Sequence, residues 1–382
     1  MPMSTDRELS IYVHIPFCAR KCLYCDFLSF KAEDSFIASY FDALSQEIRS
    51  YADSYDDYTV KSVFFGGGTP SLPDAEYICG VLNLLSEQFH ICEDAEITIE
   101  MNPGTASFEK ILKYKEAGVN RLSIGAQSFD DKDLKTIGRI HDSEQFYRTY
   151  EDAKRAGFTN INIDIMSALP GQSVDSYIST LKKAVELKPS HISAYSLIVE
   201  EGTPFFDMEL DLPSENEDRI MYHKTKEILA ESGYHRYEIS NYALGEGEKN
   251  ECYHNKVYWR RGNYLGLGLG ASSMVQDVRF SNITDIKEYI DRLSRGESVV
   301  KDREELSENS VMEEFMFLGL RLIQGVDTDL FFHRFGKRIE DIYPDVLDKF
   351  KSLGLLETSG KYLRLTDKGL DVCNTVMCEF IL

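Results

Sequence analysis

Ile11-Tyr12-Val13-His14-Ile15-Pro16-Phe17-Cys18-Ala19-Arg20-Lys21-Cys22-Leu23-Tyr24-Cys25 joins a short apolar, β-rich run to three cysteines spaced C-x3-C-x2-C. The run reads as a strand and the cysteines as the loop that follows it. Thiolates on one short loop can wrap three corners of a cubane iron–sulfur cluster. Zinc is the rival, but tetrahedral zinc wants a second ligand pair at a distance, and none stands out. A cube held by three thiolates leaves one iron open to an outside ligand. The chain has eight cysteines. The other five, Cys79, Cys92, Cys252, Cys373 and Cys378, are scattered and read as small core residues.

Outward from this stretch, short β-rich runs alternate with amphipathic helical patterns. Further strands are expected at Val60–Phe65, Glu96–Met101, Arg121–Ala126, Asn160–Ile165 and His191–Ile198. Helices are expected at Asp34–Tyr51, Ala75–Phe89, Ser107–Ala117, Ser143–Ala156 and Val174–Leu187. Repeated β-then-α units imply a parallel sheet with helices outside. Six units suit an α/β fold of the partial (β/α)6 TIM-like barrel type; an open doubly wound sheet is the alternative from periodicity. Asn216–Gly233 reads as another helix, 234–274 as less regular, and 295–308 as a charged linker. Helices at Val311–Leu322 and Ile339–Leu353, with a β element at Tyr362–Leu365, suggest a small second domain. The expected division is 1–304 and 305–382.

The 382 residues carry a formal net charge of −22. Such a field repels phosphate backbones, so nucleic acid is not an expected partner. The apolar run at 11–15 is too short for a signal-peptide core, and Phe315–Ile323 is far short of a membrane span. A cytoplasmic protein in which thiols stay reduced is the expectation.

Five further motifs fall at or just beyond expected strand ends, where parallel barrels place their chemistry. Gly66-Gly67-Gly68-Thr69-Pro70 follows the second strand; glycines there permit positive φ and close backbone approach. Glu100 ends the third strand, Gln127 the fourth and Asp164 the fifth, while Arg139 follows a short helical stretch. Arg suits a carboxylate, and the other three offer acceptors.

Together with Tyr12-Val-His-Ile-Pro-Phe-Cys18, these motifs resemble the radical S-adenosylmethionine (SAM) superfamily. The likeness is to the branch of oxygen-independent coproporphyrinogen III oxidase and the HemW-like haem chaperones. The resemblance implies a [4Fe–4S] cluster on Cys18, Cys22 and Cys25, with SAM on its open iron. It places SAM against Tyr12, Gly66, Gly67, Gly68, Thr69, Glu100, Gln127, Arg139 and Asp164. His14 is expected to be structural. The family usually reads Gly-Leu-Pro-Gly-Gln after the fifth strand, where this chain has Ala168-Leu-Pro-Gly-Gln172.

Two readings follow from the resemblance. The oxidase carries a further cysteine just after the third ligand and a long N-terminal extension; here Cys25 is followed by Asp26-Phe27, and Cys18 has 17 residues before it. Cys252-Tyr-His254-Asn-Lys-Val-Tyr258-Trp259 resembles the His-Asn-x-x-Tyr-Trp signature of the HemW-like chaperones. Haem delivery with possible SAM cleavage is therefore the main expectation, and coproporphyrinogen III oxidase activity in porphyrin biosynthesis the alternative. His254 is the candidate haem ligand, since imidazole is a common axial ligand. A haem-acceptor protein and a low-potential electron donor are the implied partners. The C-terminal segment resembles the family's small winged-helix-like domain.

Overall fold

The structure, a computed structural model, describes residues 7–382. The first half runs β1 (Glu8–Ile15), α1 (Asp34–Tyr51), β2 (Thr59–Gly67), α2 (Ala75–Gln88), β3 (His90–Met101) and α3 (Phe108–Glu116). It continues through β4 (Arg121–Gln127), α4 (Asp131–Thr136), α5 (Ser143–Arg155), β5 (Asn160–Ser167), α6 (Val174–Glu186) and β6 (His191–Ser196). Then come α7 (Glu215–Glu231), β7 (Tyr234–Arg236), β8 (Asn241–Leu244), α8 (Tyr253–Trp259), β9 (Tyr264–Leu267), β10 (Ser272–Val275), β11 (Val278–Asn282), α9 (Ile286–Ser294) and β12 (Val300–Glu305). The remainder is α10 (Glu308–Gly319), β13 (Val326–Asp327), α11 (Thr328–Phe335), α12 (Ile339–Ile342), α13 (Pro344–Ser352), β14 (Leu356–Ser359), β15 (Tyr362–Leu365), α14 (Asp367–Leu370) and α15 (Cys373–Met377).

One sheet of twelve strands has the order β12-β11-β10-β9-β1-β2-β3-β4-β5-β6-β8-β7. Strands β9 and β1 through β6 are mutually parallel, and both flanks are antiparallel. The six β/α units thus form the expected partial barrel, open between its two edge strands. Helix starts obey local chemistry. Asp142 and Gln145 form a reciprocal capping box on α5, and Ser173 caps α6.

Strand alternation decides what each face does. Ile11, Val13 and Ile15 of β1, Val63 and Phe65 of β2, and Ile161, Ile163 and Ile165 of β5 belong to one large apolar core. Burying each such side chain is worth about 1.5–3 kcal/mol. The intervening residues are mostly polar: Ser10, Tyr12 and His14; Glu96, Thr98 and Glu100; Arg121 and Ser123; Asn162 and Asp164, with Phe64 of β2 an exception. They bond to one another across strands, as Ser62 does to Ser10 and Asn162 to Ser123. The concave face is thus a polar lumen rather than the branched-apolar plug of a closed barrel.

Two expectations are corrected. The segment 234–274 is regular: it supplies β7, β8, α8 and β9 and leads into β10. The charged stretch 295–308 contains β12, paired antiparallel with β11. Lys301, Asp302, Arg303, Glu304 and Glu305 hid this strand because an edge strand tolerates charge on its exposed side.

Residues beyond β12 form a second apolar cluster around Met316, Phe331, Leu347, Phe350 and Phe380. Its helices pack on a three-stranded antiparallel sheet ordered β13-β15-β14. Helices followed by a small hairpin give the expected winged-helix-like shape.

Candidate metal centre and cofactor cavity

Cys18, Cys22 and Cys25 lie on the loop after β1, at the carboxyl ends of the parallel strands. Two backbone bonds anchor the loop and a third closes a turn within it. Cys18 N–H donates to Phe30 O (3.0 Å), Leu23 N–H to Ile137 O (3.1 Å), and Cys25 N–H to Cys22 O (3.3 Å). All three cysteines line one cavity of about 490 Å³, within the usual range of small-molecule sites. Thiols spread along one loop suit a cubane, whose ligands go to separate irons, better than a tetrahedral zinc. Burial pushes the Cys22 and Cys25 thiols up, so thiolates there call for a cationic partner such as iron.

The glycine stretch after β2 is dictated by packing. A Cβ on Gly66 would lie 2.9 Å from Tyr12 Cε2, one on Gly67 2.5 Å from the His14 ring, and one on Gly68 2.8 Å from Phe17 O. Gly67 also sits at φ +111°. Gly68 N–H donates to Ile15 O and Thr69 N–H to Phe17 O, both at 2.8 Å. The stretch therefore docks on β1 and its loop while Gly67, Gly68 and Thr69 face the cavity. His14 is structural, as expected. Its Nε2–H donates to Leu28 O (2.8 Å), which leaves Nδ1 to accept Tyr12 O–H (3.0 Å). Tyr12 therefore stands under Gly66 as a buttress, and the cavity lining does not include it.

Glu100, Gln127, Arg139 and Asp164 all line the same cavity. Glu100 accepts Gly67 N–H at 3.2 Å. Burial first, and then the neighbouring Asp164 carboxylate, pushes its pKa up to about 8. Burial also raises Asp164, which accepts from Asn162 (2.7 Å) and Ser123 (3.3 Å). Gln127 sits at φ +65° and accepts Tyr195 O–H at 3.2 Å. Arg139 Nη1 donates to Asn102 Oδ1 at 2.6 Å, its guanidinium lies over the Tyr24 ring at 6.0 Å, and its Nε has no partner. That orphaned donor beside the cysteines fits an anionic ligand group. Acceptors and a guanidinium lining one cavity suit the ammonium, hydroxyls and carboxylate of SAM.

Sequence reading missed several lining residues. Tyr195, Asn241 and Asn255 complete the wall from β6, β8 and α8. The alternation His191-Ser193-Tyr195 carried a signal for the first of these, and Asn255 is the asparagine of the His-Asn-x-x-Tyr-Trp signature, though neither was read as lining the cavity. Ala168 adopts φ +57°, the left-handed region, which explains why glycine is usual at this point in the resembled family.

His254 is a correction. Helix α8 lies inside the lumen, its N-terminus held by Glu96, which accepts Tyr253 N–H and His254 N–H at 3.0 Å. Ser62 gives its only proton to Ser10 Oγ (2.7 Å), so His254 Nδ1–H donates to Ser62 Oγ (2.8 Å). Nε2 then accepts Tyr258 O–H at 3.0 Å, and the ring stacks on Phe64 at 5.0 Å. Burial, then Arg121, pulls its pKa down to about 3. An axial ligand needs a free nitrogen, and both are occupied in a residue with no exposed surface to speak of (2%). His254 anchors α8; it is not poised as a haem ligand.

A half-barrel of six β/α units with a three-cysteine loop and a polar, anion-ready cavity at its strand ends defines a radical SAM protein. Residues 12–184 match the Radical SAM superfamily and residues 306–372 the HemN C-terminal domain. The chain is 36% identical to the heme chaperone HemW of Lactococcus lactis, over 98% of this chain and 97% of that protein. It is 34% identical to the heme chaperone HemW of Bacillus subtilis, over 97% and 99%. The solved structure of the radical SAM enzyme coproporphyrinogen III oxidase (HemN) from Escherichia coli superposes with a TM-score of 0.87 at 26% identity, covering 98% of this chain and 90% of that one. The chain belongs to the HemW family of radical SAM proteins, and that membership implies a [4Fe–4S] cluster and SAM.

Proposed function

We propose that this protein binds haem and delivers it to acceptor proteins, with SAM and the cluster held at the strand ends. The observation that carries the reading is near-full-length identity to proteins called heme chaperone HemW. Cys25-Asp26-Phe27 supports it, because the loop lacks the extra cysteine expected of the oxidase. Cys18, Cys22 and Cys25 hold the cluster. Arg139 takes the SAM carboxylate, Gly67, Gly68 and Thr69 give it backbone room, and Glu100, Gln127 and Asp164 accept from its N–H and O–H groups. Tyr12 acts from beneath, through Gly66. When bound, the cluster and SAM supply one-electron cleavage of a sulfonium carbon bond. The chain's own contribution is to orient the ligand and to exclude water from one side of it with α8.

Residues 1–304 are the core with its family-specific extension, and 305–382 a C-terminal domain that covers the core or meets a protein partner. The protein works in the cytoplasm with a low-potential electron donor. No helix among the described residues is long and apolar enough to cross a membrane.

Coproporphyrinogen III oxidase activity is the second reading, favoured by the superposition on HemN over almost the whole chain. The test gives anaerobically reconstituted protein, SAM and reductant either coproporphyrinogen III or haem. Stoichiometric haem bound and passed to an apo-acceptor, without porphyrinogen turnover, is expected. Formation of protoporphyrinogen would replace the first reading with the second.

A further inference from the structure

Cys18 is the buried member of the cysteine triplet, and its sulfur has a neighbour that neither of its partners shares. Thr69 Oγ1 lies 3.5 Å from Cys18 Sγ. Thr69 is fixed relative to that sulfur: its N–H donates to Phe17 O, and its own carbonyl accepts Leu72 N–H, each at 2.8 Å. Asn102, after the end of β3, holds the hydroxyl from the other side. Its Nδ2 donates to Thr69 Oγ1 at 2.8 Å. Its Oδ1 accepts Arg139 Nη1 at 2.6 Å. The Asn102 backbone is pinned as well, with its N–H on Ser71 Oγ (3.3 Å) and its O on Thr105 N–H (3.1 Å).

The polarity of this chain is forced. A guanidinium only donates, so the Asn102 oxygen must face Arg139 and its NH₂ must face Thr69. Thr69 oxygen accepts that N–H, which leaves its single proton to point at the sulfur. A cysteine ligated to iron is a thiolate and only accepts. We propose that Arg139, Asn102 and Thr69 form a relay that ends in an O–H donor to the Cys18 thiolate and so sets the reduction potential of the cluster. Hydrogen bonds to cluster sulfurs draw electron density from iron and favour the reduced state. Asn102 is a positioning residue here; it acts on the sulfur through Thr69. Arg139 also lines the cavity, together with Arg20 and Lys21, so the relay joins the ligand-binding wall to the cluster.

The proposal rests on Cys18, Cys22 and Cys25 carrying the cluster, and the experiment separates the two. The full chain is reconstituted anaerobically without SAM. Iron and sulfide are counted, and the midpoint potential is read by electron paramagnetic resonance during a redox titration. Wild type, Thr69→Val, Thr69→Ser, Asn102→Ala and Thr69→Val/Asn102→Ala are compared. With four irons in each protein, Thr69→Val is expected to shift the midpoint to more negative potential, and Thr69→Ser to restore it. Asn102→Ala is expected to give a smaller shift of the same sign and to add nothing to Thr69→Val, as for residues acting in series. Electron–nuclear double resonance on the reduced cluster should show a D₂O-exchangeable proton that Thr69→Val removes and Thr69→Ser retains. An unchanged potential and unchanged exchangeable proton in Thr69→Val would overturn the relay with the cluster intact. Additive shifts would remove Asn102 from it. A wild type that takes up no iron would instead overturn the cluster reading on which the relay depends.

Discussion

Glu100 offers a direct test of the cavity. Its ordinary carboxyl pKa of 4.5 is pushed up to about 8, chiefly by burial and then by Asp164. That rise corresponds to about 5 kcal/mol of preference for the neutral acid. An acid whose folded pKa is raised stabilises the protein fully below its unfolded pKa, near 4.5. That contribution is lost as pH rises through about 8. Ligand-free protein should therefore lose stability between these limits, and Glu100→Gln should flatten that part of the profile. Ligand binding reports the same group. At pH 7 Glu100 is about nine-tenths protonated in the empty cavity, and N–H or O–H donors of SAM held against it favour the carboxylate. Binding should thus release close to one proton more in wild type than in Glu100→Gln at pH 7. The difference should be about half a proton at pH 8 and vanish above about pH 9. Calorimetry in two buffers of different ionisation enthalpy measures it. Equal proton release in the two proteins at pH 7 would refute both the raised pKa and the place of Glu100 beside the ligand.

Cys22→Ala should leave the helical circular-dichroism signal intact while abolishing the full cluster; four irons per chain in that variant would remove Cys22 from the ligand set. Gly67→Ala forces a Cβ to within 2.5 Å of the His14 ring at φ +111°, so a loss of about 3 kcal/mol or more is expected in urea unfolding. A loss below about 1 kcal/mol would mean that the β1–β2 docking is softer than these contacts imply. His254→Ala removes a buried ring from three partners and should cost about 2–4 kcal/mol. The haem spectrum of that variant should keep its axial-ligand bands; their loss would restore His254 as a ligand.

The parallel core was legible because two signals agreed. Apolar residues recur at alternate positions in β1 and β5, and amphipathic helices of the right length follow; α1 begins and ends where its pattern does, at Asp34 and Tyr51. Glu100, Gln127 and Asp164 stood out at strand ends, where a parallel barrel puts its chemistry, and Arg139 stood out after a short helical stretch. What escaped had a physical reason in each case. Strand β12 carries five consecutive charged residues on an exposed edge. The turn joining β10 to β11, Gln276-Asp277, takes positive φ at both residues without a glycine or asparagine to announce it. His254 sits in a motif that suggests a surface for haem, but only the fold shows that its two nitrogens face Ser62 and Tyr258.

The second half of the chain is part of the site rather than an appendage to it. The superfamily match ends at residue 184, yet β9 pairs parallel with β1 directly behind the cysteine loop. The turn after β9 is locked to that strand's end. Tyr40 O–H donates to His14 O at 2.6 Å and accepts Leu269 N–H at 3.2 Å. Glu47, fully buried on α1, accepts Gly268 N–H (2.7 Å), Tyr289 O–H (2.6 Å) and Asn282 Nδ2–H (2.6 Å). A Cβ on Gly268 would lie 2.5 Å from Tyr40 Oη and 2.8 Å from His14 O, so this approach admits only glycine. Three donors hold the Glu47 carboxyl, although burial pushes its pKa up to about 7. His14 in turn fixes Leu28 at the far end of the cysteine loop. Position thus passes from α9 and β11, through Glu47 and Tyr40, to the residue four places before Cys18. The geometry of the cysteine loop is set from both halves of the chain, by residues as far downstream as Tyr289.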